Sequence, residues 1–190
     1  MNMPEGYNEA QVSGEFVPVT PGGHYCEIKK VEERQSSTGK PMVVVYFEFT
    51  GRDMQSGYFT KMYQDDTRED KKWPFTGTKY VMVNDYKDPN KTSRQFKTFC
   101  SCVENSNQNF TVQWGDDWGA QFVGKQIGVI FGREESEYNG KVSMRCVPKY
   151  FCRVDAVETA RVPEDKYLAP ASGGIQPPEG MVLTADDLPF

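Results

Sequence analysis

Residues 22–49 read GGHYCEIKKVEERQSSTGKPMVVVYFEF and carry the strongest secondary-structure signal in the chain. Residues 42–49 are rich in β-branched and aromatic residues, which favour a β-strand, and residues 22–33 fit a strand before it. The intervening QSSTGKP consists of turn-forming residues. The segment therefore predicts two neighbouring strands joined by a short turn.

A third strand and a helix are predicted next. Residues 58–63 (YFTKMY) follow a polar turn and fit a further strand of a meander. Residues 93–105 change the period, because Phe96, Phe99 and Val103 fall on one face of a helix together with Cys100. Thr92 or Ser93 is the candidate N-cap of this helix.

Two final strands are predicted over residues 124–131 and 141–154, and the turn residues Asn139 and Gly140 lie between them. The resulting order, β-β-β-α-β-β, predicts a mainly β fold: a five-stranded OB-fold β-barrel with one helix between strands 3 and 4. Barrels of this type hold oligonucleotides or oligosaccharides on strands 2 and 3 and on the connecting loops.

The 190 residues leave room for one domain and a tail, and we predict three parts. These are an N-terminal arm over 1–21, the OB domain over 22–160 and a disordered acidic tail over 161–190. The net charge of −5 is unevenly distributed: residues 22–154 carry +3, whereas residues 155–190 carry −5 and residues 1–21 carry −3. From Val162 onward, proline and glycine interrupt every possible helix or strand period.

Composition excludes several classes of protein. No apolar run approaches the roughly 20 residues that cross a bilayer, and the N-terminus lacks the pattern of a secretion signal. Five scattered cysteines do not form the framework of a secreted domain, so we expect a cytoplasmic protein in a reducing compartment. Four of the cysteines could alternatively bind zinc, but their spacing lacks the usual CxxC pairs. We therefore predict no metal and no cofactor. These four are Cys100, Cys102, Cys146 and Cys152.

No catalytic motif is present, and we predict a protein that is not an enzyme. Four acids in one segment imitate the carboxylate cluster of a two-metal nuclease, which is one alternative. They are interspersed with basic residues, which favours a solvated loop. The four are Asp65, Asp66, Glu69 and Asp70.

Basic residues interleaved with aromatic ones indicate binding of single-stranded nucleic acid, because cations follow the phosphates and flat rings stack on the bases. The segment KKWPF, residues 71–75, is the densest example, and Trp73 is the preferred stacking platform. Tyr46 should face outward if Val45 and Phe47 face the core. The predicted DNA-binding residues are Lys29, Lys30, Arg34, Tyr46, Tyr58, Lys61, Lys71, Lys72, Trp73, Phe75, Lys141, Arg145 and Lys149.

The last five residues, Asp186, Asp187, Leu188, Pro189 and Phe190, end an acidic tail rich in proline and glycine. This DDLPF segment resembles the tip of bacterial single-stranded DNA-binding proteins. Residues 21–49 are similar to the openings of phage-encoded OB-type members of that class. The resemblance implies a phage or prophage protein that coats single-stranded DNA during replication, recombination and repair. Whether the chain is a monomer or a homo-oligomer stays open, because the N-terminal strand pattern of the cellular bacterial proteins is absent. It also implies that the tip recruits partner proteins. An adaptor or structural protein whose barrel binds no nucleic acid is the alternative.

Overall fold

The computed structural model describes Met3 and residues 17–168, and within them the chain forms a mainly β fold with two α-helices. The elements, in chain order, are β1 (Gly22–Gln35), β2 (Pro41–Phe49), α1 (Tyr58–Asp65), β3 (Thr78–Met82), α2 (Arg94–Ser106), β4 (Gln126–Tyr138) and β5 (Lys141–Cys152).

All five strands belong to one antiparallel sheet in the order β3-β2-β1-β4-β5. Strand β1 is central, and it pairs with β2 along most of its length and with β4 through its first six residues. The two outer strands, β3 and β5, approach each other where Lys79 Nζ donates a hydrogen bond to the carbonyl oxygen of Pro148 at 3.1 Å.

The core lies between one face of this sheet and helix α2. Ile28, Phe47 and Phe131 from the strands are fully buried with Phe99 and Val103 from the helix. Several of these rings contact one another edge to face, such as Phe47 and Phe131, whose centroids lie 6.2 Å apart.

Most of the elements predicted from the sequence are confirmed. The helix predicted over residues 93–105 is α2, and Ser93 is its N-cap, because the Ser93 hydroxyl accepts a hydrogen bond from Phe96 N at 3.1 Å. The turn between β4 and β5 uses Asn139 and Gly140 at φ of 50° and 73°, the left-handed conformation that a tight hairpin requires.

The prediction of a strand over residues 58–63 is wrong: this segment is helix α1, and the third strand is β3. Phe59 is fully buried, and Tyr58 and Met62 pack against the core, which is the spacing of one helical face. Glu48 of β2 caps this helix. Its carboxylate accepts hydrogen bonds from the backbone N–H groups of Phe59, at 3.1 Å, and Thr60.

The predicted boundaries of the arm and the tail also move. Val19 is buried against the core, so the last part of the arm packs on the domain. Residues 161–168, predicted to be disordered, return to the sheet. Lys166 pairs in parallel with Glu134 of β4, and Arg133 forms a 2.8 Å ion pair with Asp165. The backbone hydrogen bonds of Lys166 with Arg133 and Glu135 satisfy backbone groups on the part of β4 that β1 does not cover.

The remaining parts of the predicted arm and tail, including the DDLPF segment, lie outside the described residues. Within the described part of the chain, no helix combines the length and the apolar character needed to span a membrane.

Candidate nucleic-acid interface

A β-bulge in strand β1 creates the basic edge of the candidate site. The pairing of β1 with β2 is irregular between Ile28 and Lys30. Before the bulge the even-numbered Cys26 and Ile28 are buried, whereas after it the odd-numbered Val31 is buried. The bulge thus reverses which alternate residues face the core, and it exposes both Lys29 and Lys30.

Strands β2 and β3 continue the same outer face. Tyr46 lies between Lys30 on β1 and Thr78 on β3 in the pairing register. Val45 and Phe47 are fully buried and Tyr46 is half-buried, so the outward orientation predicted for Tyr46 is confirmed.

A groove of about 730 Å³ runs over this face, and the segment after α1 forms its wall. We call it the basic-aromatic groove. Its lining residues are Lys29, Lys30, Glu32, Arg34, Tyr46, Tyr63, Lys71, Lys72, Trp73, Phe75, Thr78 and Tyr80. Eight of the thirteen predicted DNA-binding residues therefore meet in one place.

Phe75 and Tyr80 are the most accessible rings of the groove. Their side chains are 62% and 47% exposed, and their centroids lie 6.4 Å apart at an interplanar angle of 33°. An exposed aromatic ring offers a flat apolar surface on which a nucleic-acid base can stack. These two rings are the most exposed flat apolar surfaces of the groove.

The side chain of Trp73 is more tightly packed than the sequence predicts. Its Nε1 donates a hydrogen bond to the carbonyl oxygen of Gly77 at 3.1 Å, and its ring lies 5.9 Å from that of Tyr63. A Cβ atom at position 77 would lie 2.7 Å from Trp73 Nε1, so only glycine permits this close packing. Trp73 is half-buried against the core, and it supports the wall of the groove as well as lining it.

The cations of the groove differ in what surrounds them. Lys71 Nζ lies 4.8 Å from the centroid of the Tyr63 ring, a cation–π contact. Lys29 pairs with Glu27 at 2.7 Å. Lys72 is exposed and has no ion-pair partner among the described residues, so it can reach a phosphate without breaking a contact.

One carboxylate lies among these cations. Glu32 forms ion pairs with Lys30 and Arg34, and it accepts a hydrogen bond from the Tyr46 hydroxyl at 3.0 Å. The hydrogen bond from Lys30 is the main reason that the pKa of Glu32 lies below its usual value, although partial burial opposes the shift. Burial raises the pKa of Tyr46, and the neighbouring Glu32 raises it further.

The other five predicted residues do not line the groove. Tyr58 begins α1, where its hydroxyl donates to the carbonyl oxygen of Val17 at 2.9 Å, and Lys61 is exposed on the same helix. Lys141 and Arg145 lie on the outer part of the β4–β5 hairpin. Lys149 pairs with Glu134 at 2.5 Å. None of these three hairpin residues is among the residues that line the groove.

Four lining residues are absent from the predicted set, namely Glu32, Tyr63, Thr78 and Tyr80. Thr78 and Tyr80 alternate on β3, so correct placement of the third strand would have shown that they share a face. Tyr63 follows from recognising α1 as a helix. Glu32 could have been identified from its position two residues after Lys30, because alternate residues of a strand lie on the same face.

A second, larger hollow of about 1170 Å³ lies beside α2. Its charged lining is mixed, since Arg94 and Lys97 are accompanied by Asp85 and Glu104. Its one exposed ring, Trp114, stacks on the buried Trp118 at 5.9 Å. The hollow thus has two acids and one exposed ring, whereas the basic-aromatic groove has one acid and two exposed rings.

The two alternative chemistries can be compared with the geometry. Among Met3 and residues 17–168, no group of three or more His, Cys, Asp or Glu side chains is arranged to hold a metal ion. Asp66 of the acidic segment pairs with Arg68 at 2.6 Å, and this contact lowers the pKa of Asp66 to about 2. Burial raises the pKa of the Cys100 and Cys102 thiols to about 11, which disfavours the thiolate form that binds metal.

No protein-family model matches this chain, and no curated protein matches it significantly by sequence.

Proposed function

We propose that this protein binds single-stranded DNA along the basic-aromatic groove and performs no catalysis. The observation that carries the proposal is the meeting of five cations and five aromatic rings in one groove. The cations neutralise phosphates and the rings stack on bases, which is how single-stranded nucleic acid is bound without regard to sequence. The cations are Lys29, Lys30, Arg34, Lys71 and Lys72, and the rings are Tyr46, Tyr63, Trp73, Phe75 and Tyr80.

The strand order supports an OB-type barrel as the fold. An OB barrel joins five strands into a closed sheet with a helix between the third and fourth strands. Here the sheet order is β3-β2-β1-β4-β5, α2 lies between β3 and β4 in the chain, and Lys79 reaches from one outer strand to the other. We therefore propose that the sheet is an OB barrel whose seam lies between β3 and β5. In OB folds the second and third strands carry the nucleic-acid face, which here contains Tyr46 and Tyr80.

The charge distribution fits a strand binder with a recruiting tail. Residues 22–154 carry a net charge of +3, and the flanking segments are acidic. We propose that residues 186–190 bind partner proteins of phage or host replication, recombination and repair. In this role the two aspartates would approach a basic rim, while Leu188 and Phe190 would enter an apolar pocket.

The first test is a titration of the full chain with oligo-dT, followed by intrinsic fluorescence. We expect quenching, because Trp73 and four other rings line the groove. Affinity should fall as the salt concentration rises, with a slope of about −0.7 for each phosphate contact on a single strand. Duplex DNA of the same length should bind much more weakly. Absence of both quenching and salt-sensitive binding would contradict the proposal and favour an adaptor role.

The second test removes residues 186–190. We expect the shortened chain to keep its melting temperature and its affinity for oligo-dT at moderate salt, but to lose replication and repair proteins in a pull-down from bacterial lysate. Phe190→Ala should reproduce most of the loss, because the aromatic side chain buries the most apolar surface. Met181→Ala, in the same tail but outside the five residues, is the control. Equal recovery by the intact and shortened chains would reject the recruiting role.

A further inference from the structure

Glu32 is the one carboxylate among the residues that line the basic-aromatic groove. Its two carboxylate oxygens are held separately: one by Lys30, the other by Arg34 and by the Tyr46 hydroxyl. Two cations and a phenolic O–H form the donor set that also suits the non-bridging oxygens of a phosphodiester.

We infer that Glu32 is a built-in counterion of the groove, which a phosphate of the bound strand must displace from Lys30 and Arg34. The inference rests on the proposed function and concerns the same site. It makes Glu32 a residue that limits affinity and salt sensitivity, whereas the neighbouring aromatic rings supply attraction.

The backbone explains why the carboxylate is held there. After the bulge, Lys30, Glu32 and Arg34 are alternate residues on the same face of β1, so the acid lies between the two bases. Tyr46 is the pairing partner of Lys30 on β2, and its hydroxyl also accepts a hydrogen bond from Arg34 Nη2 at 3.1 Å. The four side chains form one connected network on the floor of the groove.

Partial exposure allows the exchange. The side chain of Glu32 is 23% exposed and that of Lys30 is 62% exposed, so both can rotate without unfolding the strand. Exposed ion pairs contribute little to stability, and a phosphate with its full negative charge can compete for the same cations. Once displaced, the carboxylate remains near the phosphate and repels it, which lowers the affinity.

The salt dependence follows from the same exchange. When a strand binds, counterions are released from its phosphates and from the protein cations, and this release increases the entropy. Lys30 and Arg34 hold a covalently attached counterion, so the exchange of a phosphate for Glu32 is less sensitive to salt. Removing the charge of Glu32 should therefore strengthen binding most at low salt.

The experiment compares the full chain with Glu32→Gln and Glu33→Gln in titrations of labelled oligo-dT at a series of salt concentrations. Glu33 is the matched control, because it is adjacent, exposed and outside the groove, and it loses the same charge. We expect Glu32→Gln to bind about tenfold more tightly than the unaltered chain at roughly 50 mM salt. Its slope of log affinity against log salt should be steeper by about 1, and Glu33→Gln should stay within about twofold of the unaltered chain.

The outcomes separate the two proposals. If all three chains fail to bind oligo-dT, the proposed function and this inference are both overturned. If the unaltered chain binds but Glu32→Gln gains no more than Glu33→Gln, binding stands and the counterion role is rejected. Weaker binding by Glu32→Gln, with an unchanged melting temperature, would show that Glu32 positions Lys30 and Arg34 for the strand and would also overturn the inference.

Discussion

Replacing Phe75 and Tyr80 together by alanine is expected to weaken oligo-dT binding at least about thirtyfold. Stacking of a base on an aromatic ring contributes about 1–3 kcal/mol, and the double substitution removes both of the most accessible rings of the groove. Both side chains project outward, so the melting temperature should change little. Titration at constant salt and thermal unfolding measure the two effects independently.

A matched control is available elsewhere on the surface. Tyr86 and Tyr167 are also exposed aromatic residues, but neither lines the groove. Their double alanine variant should bind oligo-dT like the unaltered chain. Trp73→Ala is a less specific test, since Trp73 also packs against the core and should lower stability together with affinity. Equal loss of binding in both double variants would reject the groove as the binding site.

Among the substitutions proposed for this protein, Glu48→Ala is expected to lower the free energy of unfolding most, by about 3 kcal/mol. Glu48 is only 6% exposed, and its carboxylate accepts hydrogen bonds from the backbone N–H of Phe49 at 2.7 Å as well as from Phe59 and Thr60 of α1. Alanine would leave these buried donors unpaired, each at a cost of about 1–3 kcal/mol before relaxation. For a domain of this size the melting temperature should fall by roughly 6–12 °C.

The control for this variant is Glu33→Ala, which removes an exposed carboxylate from the neighbouring strand β1. Its melting temperature should stay within about 2 °C of the unaltered chain. A similarly small change for Glu48→Ala would mean that water replaces the carboxylate, and the cap would then be unimportant for folding.

The sequence was sufficient wherever a local signal and the tertiary environment agreed. Strand β2 has strong β-propensity, and helix α2 has a clear N-cap. The β4–β5 hairpin has a turn that only residues such as Asn139 and Gly140 readily adopt. The concentration of cations and rings in residues 71–75 also identified part of the groove. These features depend on neighbours in the chain, so composition and spacing reveal them.

The tertiary structure decided what depends on distant partners. The segment YFTKMY has the composition of a strand, yet Glu48 supplies acceptors for its first N–H groups and the core accepts Phe59, so it forms α1. The bulge in β1 selects the face that Lys30, Glu32 and Arg34 share, and the packing of Trp73 on Gly77 fixes the wall opposite them. The sequence by itself determined β2, α2, the β4–β5 hairpin and the local concentration of cations and rings. Only the folded chain determined which of them meet, because register, bulges and buried caps arise from contacts between residues far apart in the sequence.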